Sequence, residues 1–184
     1  MNYMSLLANP GAISRDGIYT VGLTNRYQTH RKTVPFVDMH ELGKPALGFA
    51  TITAVPVGKL NDDSYACTFI ADIATNERLK IGQHVSMSYG VTFNSSIEGF
   101  GDIHVLTLDD IIEVSLVDIS QIPNTQIINP TDLNGILRDV IMPQLALHAK
   151  ENTPLLSAIL AADALAKAKS QPQQQSQSPD TSEK

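Results

Sequence analysis

The sequence predicts an α+β protein that is mainly β: a small antiparallel β-barrel of about six or seven strands, followed by C-terminal helices and a disordered tail. Three observations predict this class. The first 128 residues are rich in β-branched residues and turn signals, the pattern becomes helical from Asn129, and the last residues are polar and repetitive. The chain has 184 residues, of which 42% are apolar, which is enough for one sizeable core.

Six segments before residue 129 alternate or cluster apolar residues as strands do. They are GIYTVGLT, GFATITAVPV, SYACTFIADI, QHVSMSYGVTF, DIHVLTL and IIEVSLVDI. GKLNDD and NSSIEGFGD have turn or loop compositions, and DIATNERLKIGQ (72–83) is compatible with a short helix. Strands that follow one another with few helical interruptions favour an antiparallel barrel or sandwich.

The C-terminal region predicts two helices. Asn129 is suited to cap the first, with Pro130 at its first position. Its apolar residues recur at helical spacing: Leu133, Ile136, Leu137, Val140 and Ile141. Thr153 and Pro154 begin the second helix. Residues 170–184, SQPQQQSQSPDTSEK, are too polar to fold. We therefore divide the chain into a barrel domain (1–128), a helical segment (129–169) and a disordered tail (170–184).

Composition excludes several classes of function. The formal net charge is -6, and an acidic chain with scattered basic residues is a poor nucleic-acid binder. Cys67 is the only cysteine, so we expect neither a disulfide framework nor a thiolate metal site. There is no glycine-rich phosphate loop and no zinc-ligand spacing, so we expect no cofactor and no metal. No apolar run reaches the roughly 20 residues that span a bilayer, and the N-terminus does not resemble a signal peptide, so we expect a cytoplasmic protein.

One predicted strand is unusual because it places His84, Ser86 and Ser88 on one face and is followed by Gly90. A glycine two residues after a nucleophile lets backbone or substrate approach closely, so Ser88 is a candidate nucleophile, and Ser86 shares its face as the fallback. The alternative for Ser88 is a hydroxyl on a solvated strand face.

Two further side chains are candidates for the groups that a serine nucleophile needs. His40 follows the apolar run VPFVDM and could point into a cleft as a base; the alternative is a surface-loop histidine. Glu113 lies among Ile111, Ile112 and Val114, where a carboxylate is costly unless it is paired. It could orient a histidine, or it could be an exposed edge carboxylate that prevents strand pairing.

Three blocks of the sequence resemble the prohead maturation protease family of tailed bacteriophages, over roughly residues 40–125. They are HELGKPALGFA, MSYGV and EVSLVDISQIPNT. The chain departs from the family pattern at Glu41, where Asp is frequent, and at Val91, where an aromatic residue is usual. The family is similar in fold to the herpesvirus assemblins, which are serine proteases built on a small antiparallel barrel.

The resemblance implies a role for each candidate. His40 matches the catalytic histidine, Ser88 the nucleophile and Glu113 the acidic position. Assemblins use a second histidine as third member, which keeps His104 and His84 as alternatives. His84 lies four residues from Ser88, about 13 Å along a strand, which makes direct contact between them unfavourable.

The implied activity is that of a serine endopeptidase that works through an acyl-enzyme. Its substrates would be the major capsid protein and scaffolding segments, inside the procapsid that assembles in the host cytoplasm. We expect a homo-oligomer and no nucleic-acid or membrane partner. A catalytically inactive assembly or scaffolding protein with the same fold is the alternative. An unrelated β-barrel ligand-binding protein is a third hypothesis, favoured if His40 and Ser88 lie far apart.

Overall fold

The computed structural model describes residues 1–8, 14–24, 31–59, 65–90, 93–97, 101–122 and 124–141. These residues form ten strands and a short helix, which confirms the mainly β class. The strands are β1 (Asn2–Ala8), β2 (Tyr19–Thr24), β3 (Arg31–Asp38), β4 (Gly48–Lys59), β5 (Tyr65–Thr75), β6 (Val85–Tyr89), β7 (Phe93–Ile97), β8 (Gly101–Leu106), β9 (Ile111–Leu116) and β10 (Ile127–Ile128). The helix, α1, spans Leu133–Ile136.

The sheet is curled, so that the path of hydrogen-bonded strands that starts at β5 returns to β5. From β5 the path runs through β4, β3, β9 and β6. It continues from β6 to the segment around β10, through a bridge between His84 and Gln126, and then through β1 back to β5. Seven paired segments thus form the ring, while β2, β8 and β7 extend the sheet from the first half of β5. Most ladders are antiparallel, but β2–β8 and β3–β9 are parallel.

Each of the six predicted strands is present, and the structure corrects two other interpretations. NSSIEGFGD is not purely loop, because β7 includes Asn94–Ile97. The stretch 72–83 contains no helix: β5 continues to Thr75, and turns follow. There the amide of Glu77 donates to Thr75 Oγ1, and the amide of Lys80 donates to Gln83 Oε1. These local hydrogen bonds to side chains compete with the backbone hydrogen bonds of a helix.

The core lies inside the curl, and it determines which face of β6 and β9 is polar. Phe36, Val114 and Met87 lie opposite one another on β3, β9 and β6, and all three are buried in the main apolar cluster. Because side chains alternate along a strand, their neighbours Ser88 and Glu113 point to the other face of this sheet.

The predicted first helix begins where its sequence indicates. Asn129 caps a 3₁₀ turn at Pro130–Asp132 by accepting a hydrogen bond from the Thr131 amide. Helix α1 follows and continues as a wider π-helical turn, Leu137–Ile141. One side of this segment packs on a small apolar cluster of the barrel. The residues involved are Leu133, Ile136 and Leu137 against Leu6, Val57 and Ile70.

The second predicted helix and the tail lie outside the described residues, so the division at residues 169 and 170 stays a prediction. Within the part of the chain that the structure describes, no helix combines the length and the apolar character needed to cross a bilayer.

Candidate active site

The register between β6 and β9 brings two polar pairs to one face of the sheet. Ser86 lies opposite Ser115, and Ser88 lies opposite Glu113. Directly opposed residues of an antiparallel pair have Cβ atoms about 5 Å apart, so the serine and the carboxylate are neighbours although 25 positions separate Ser88 from Glu113.

His40 reaches this face on a tight turn at the end of β3. The Glu41 amide donates to the Asp38 carbonyl at 2.8 Å, and both central residues have positive φ, 46° at Met39 and 62° at His40. This is the pattern of a type I′ turn. Neither central residue is glycine, so each incurs a steric cost on the order of 1–2 kcal/mol. Backbone strain of this kind is concentrated at functional sites.

The parallel pairing of β3 with β9 places the turn over the polar face. Asp38 lies opposite Leu116, and the Met39 amide donates to the Leu116 carbonyl at 3.0 Å. The His40 amide donates to Ser115 Oγ, also at 3.0 Å. The histidine is therefore fixed by its backbone directly above the pair formed by Ser88 and Glu113.

The three candidate side chains meet. His40 Nδ1 lies 2.6 Å from Glu113 Oε1, and Ser88 Oγ lies 3.1 Å from the same ring nitrogen. The Ser115 hydroxyl donates to Glu113 Oε2 at 2.6 Å. Both carboxylate oxygens of Glu113 are thus partnered, as the burial of that side chain requires.

Exposure separates the roles of the three groups. The Glu113 side chain is 0% exposed and that of His40 is 40% exposed, while Ser88 is half-buried. The exposed-edge interpretation of Glu113 is therefore wrong. A buried acid, a histidine at the rim and an accessible hydroxyl form an arrangement in which the acid can orient the imidazole and the serine can reach solvent.

One feature of the geometry departs from a working serine triad. Glu113 and Ser88 both contact Nδ1, and a ring nitrogen carries either one proton or one lone pair. Nδ1 donates its proton mainly to the Glu113 carboxylate, the shorter of the two contacts. Ser88 Oγ then accepts only the weaker part of a bifurcated hydrogen bond from the same proton. The free lone pair lies on Nε2, so general-base catalysis requires the hydroxyl and Nε2 to come together. Hydrogen bonds of catalytic groups are often looser before substrate binds.

A cleft of about 320 Å³ opens beside Ser88 and His40. Residues 86–89 of β6 line one side, and Asp16, Gln121 and Ile122 belong to two loops on the other. The loops are held together by Arg15, whose amide donates to the Gln121 carbonyl at 2.9 Å and whose Nε donates to the Ser120 carbonyl at 3.1 Å.

The two other candidate histidines are engaged elsewhere. His84 forms a bridge with Gln126, and the His104 ring lies edge-on to Tyr89 with centroids 6.1 Å apart. Ser86 lines the cleft. Ser115 was not singled out from the sequence, although its position two residues after Glu113 placed it on the same strand face, a signal that was available.

Among the described residues, no three His, Cys, Asp or Glu side chains lie close enough together to hold a metal ion. Comparison of the chain with models of protein families, with curated proteins and with solved structures finds no significant match.

Proposed function

We propose that this protein is a serine endopeptidase with Ser88 as nucleophile, His40 as base and Glu113 as the group that orients the imidazole. The observation that carries the proposal is the convergence of three side chains from β6, from the turn after β3 and from β9. The contacts measure 3.1 Å and 2.6 Å, between residues 48 and 73 positions apart.

The proposed reaction is acyl transfer. Nε2 of His40 takes the Ser88 proton as Oγ attacks the scissile carbonyl, and the same proton passes to the leaving amine when the carbon–nitrogen bond breaks. Water, activated in turn by His40, then hydrolyses the ester and regenerates Ser88. Glu113 keeps the proton on Nδ1 and stabilises the imidazolium that forms transiently.

The edge of β6 supports a peptide substrate. The Val85 amide donates to the Thr125 carbonyl, away from β9, and by the alternation of an antiparallel strand the N–H and C=O of Met87 point the same way. Among the described residues, the segment around Thr125 makes no backbone hydrogen bond to β6 beyond Val85, and Met87 borders the cleft. An extended peptide could therefore add to this edge, one residue before the nucleophile.

The biological setting is proposed from the three sequence blocks that resemble prohead maturation proteases. In this proposal the enzyme cleaves the major capsid protein and scaffolding segments inside the procapsid, in the host cytoplasm, as a homo-oligomer. Among the described residues that line the cleft there is one carboxylate, Asp16, and no lysine or arginine, which disfavours an anionic substrate at this point.

The test is co-expression with the proposed substrate, the major capsid protein, followed by gel electrophoresis and mass spectrometry of that protein. The wild type should shorten the coat protein, and Ser88→Ala should leave it intact. Ser86→Ala should still process it, because Ser86 forms no hydrogen bond with His40. If Ser88→Ala cleaves the coat protein as the wild type does, the assignment of the nucleophile is wrong.

A second function is a non-catalytic assembly protein that uses the same cleft to bind a peptide segment. The observation in its favour is the shared contact of Ser88 and Glu113 with Nδ1, which leaves the hydroxyl unactivated in this arrangement. Under this function the coat protein stays intact in every variant, and it co-purifies with Ser88→Ala as well as with the wild type.

A further inference from the structure

We propose that Ser115 is a positioning residue that couples the backbone of His40 to the carboxylate of Glu113 and thereby sets the direction of the imidazole. Its consequence for rate rests on the proposed function, whereas its consequence for the imidazole proton does not. No motif or resemblance assigns Ser115 a role.

The hydrogen bonds among His40, Ser115 and Glu113 form a closed circuit. The His40 amide donates to Ser115 Oγ at 3.0 Å, and the Ser115 hydroxyl donates to Glu113 Oε2 at 2.6 Å. The other carboxylate oxygen accepts from Nδ1 of His40 at 2.6 Å. His40 thus begins this circuit with its backbone amide and ends it with its side chain. Ser115 links the His40 amide to the Glu113 carboxylate.

Ser115 can serve this way because its hydroxyl both donates and accepts. It is 0% exposed, so bulk water does not compete with either bond. Without the hydroxyl, Glu113 Oε2 would lose the partner that fixes the plane of the carboxylate, and the amide of a residue at positive φ would lose its acceptor. Both changes loosen the direction of the Nδ1 proton.

Ser115 has no hydrogen bond to Ser88, so its effect on the nucleophile would pass through His40. Partners that orient a metal-ligating histidine are typically worth roughly 10- to 100-fold in activity, and we take the same range for the orientation of His40. We expect a loss in that range for Ser115→Ala, seen in the rate of reaction at Ser88.

The experiment compares Ser115→Ala with Ser5→Ala. Ser5 is a matched control because it is also 0% exposed, and its hydroxyl also forms hydrogen bonds, to the carbonyls of Leu6 and Gln126, but none to His40, Ser88 or Glu113. Ser115→Thr keeps the hydroxyl, and Ser115→Cys keeps the volume with a weaker donor if the alanine variant does not fold.

Two measurements are made on each variant. The first is the downfield proton NMR resonance of the imidazole N–H that faces Glu113, observed in the free protein. The second is the rate at which a fluorophosphonate probe labels Ser88. Ser115→Ala or Ser115→Cys should lose or shift the resonance and slow labelling, while Ser115→Thr and Ser5→Ala should keep both.

The inference is overturned if Ser115→Ala keeps the wild-type resonance, if the wild type has no such resonance, or if Ser5→Ala loses it equally. A resonance that depends on Ser115 in a protein that the probe never labels would support the positioning role and reject the proposed hydrolase activity. The two failures are therefore distinguishable.

Discussion

Replacing Glu113 by Gln removes the negative charge beside His40 with almost no change in side-chain volume. The glutamine amide offers one acceptor and one donor group where the carboxylate offers two acceptors. If its oxygen faces His40, the amide N–H₂ confronts the Ser115 hydroxyl, which must give up its role as donor. If its N–H₂ faces His40, it stabilises the tautomer with the proton on Nε2, which cannot accept the Ser88 proton.

The expected loss of rate in Glu113→Gln follows from the hydrogen bond between Glu113 and His40. The contact between Glu113 and His40 measures 2.6 Å in a partly buried site, and a hydrogen bond to a charged group contributes about 1.5–3 kcal/mol. If the substitution removes this stabilisation of the imidazolium in the transition state, the rate falls roughly 10- to 150-fold. The larger value applies if the unfavourable tautomer dominates.

The assay is the second-order rate of labelling of Ser88 by a fluorophosphonate probe, which needs no knowledge of the natural substrate. Circular dichroism and the midpoint of urea unfolding confirm that Glu113→Gln is folded. A folded variant that is labelled as fast as the wild type would refute the role of Glu113.

Three other predictions concern the turn, the core and the cysteine. Met39→Asn should raise the free energy of unfolding by about 1 kcal/mol in urea titrations, because Asn tolerates positive φ, whereas Met39→Val should lower it; an equal effect of both would contradict the turn. Phe36→Ala should lower it by about 3–5 kcal/mol, since Phe36 is 0% exposed, and Phe49→Ala, at 60% exposure, should change it by less than about 1 kcal/mol. Burial raises the pKa of the Cys67 thiol, so iodoacetamide at pH 8 should modify Cys67 only as fast as the protein unfolds; rapid modification of the folded protein would show the thiol to be accessible.

Hydrophobic alternation predicted β6 and β9, the strands that carry Ser88 and Glu113. β6 alternates buried and half-buried residues, whereas β9 is buried on both faces from Glu113 to Ser115. The six predicted segments do not include β1, β3, β7 or β10. β1 is a mostly apolar run without clear alternation, since it lies within the ring of strands. β7 has a polar, turn-like composition, and its pairing with β8 provides the hydrogen bonds that its residues would not predict.

The candidate residues could be chosen from sequence, but their meeting could not. Ser88 and Glu113 become neighbours through the register of β6 against β9, and a slip by one residue would move Ser88 away from the carboxylate. His40 joins them because β3 runs parallel to β9, a pairing that the predicted antiparallel barrel did not contain. Sequence pattern does not determine which strands become neighbours in this way.

The shared contact with Nδ1 was also beyond sequence reasoning. Which nitrogen faces Ser88 depends on the rotation of one ring, set by a turn with two residues at positive φ. No residue in that turn is a glycine or asparagine, so its sequence, Asp38–Glu41, does not predict the turn type.

The proposed activity depends on an imidazole, that of His40, which activates one particular alcohol, that of Ser88. Mass spectrometry of the protein after treatment with a fluorophosphonate probe tests this most directly. The account predicts a single adduct, located on Ser88 by peptide mapping and absent from His40→Ala at the same reagent concentration. An unmodified wild-type protein, or an adduct that forms equally without His40, would contradict it.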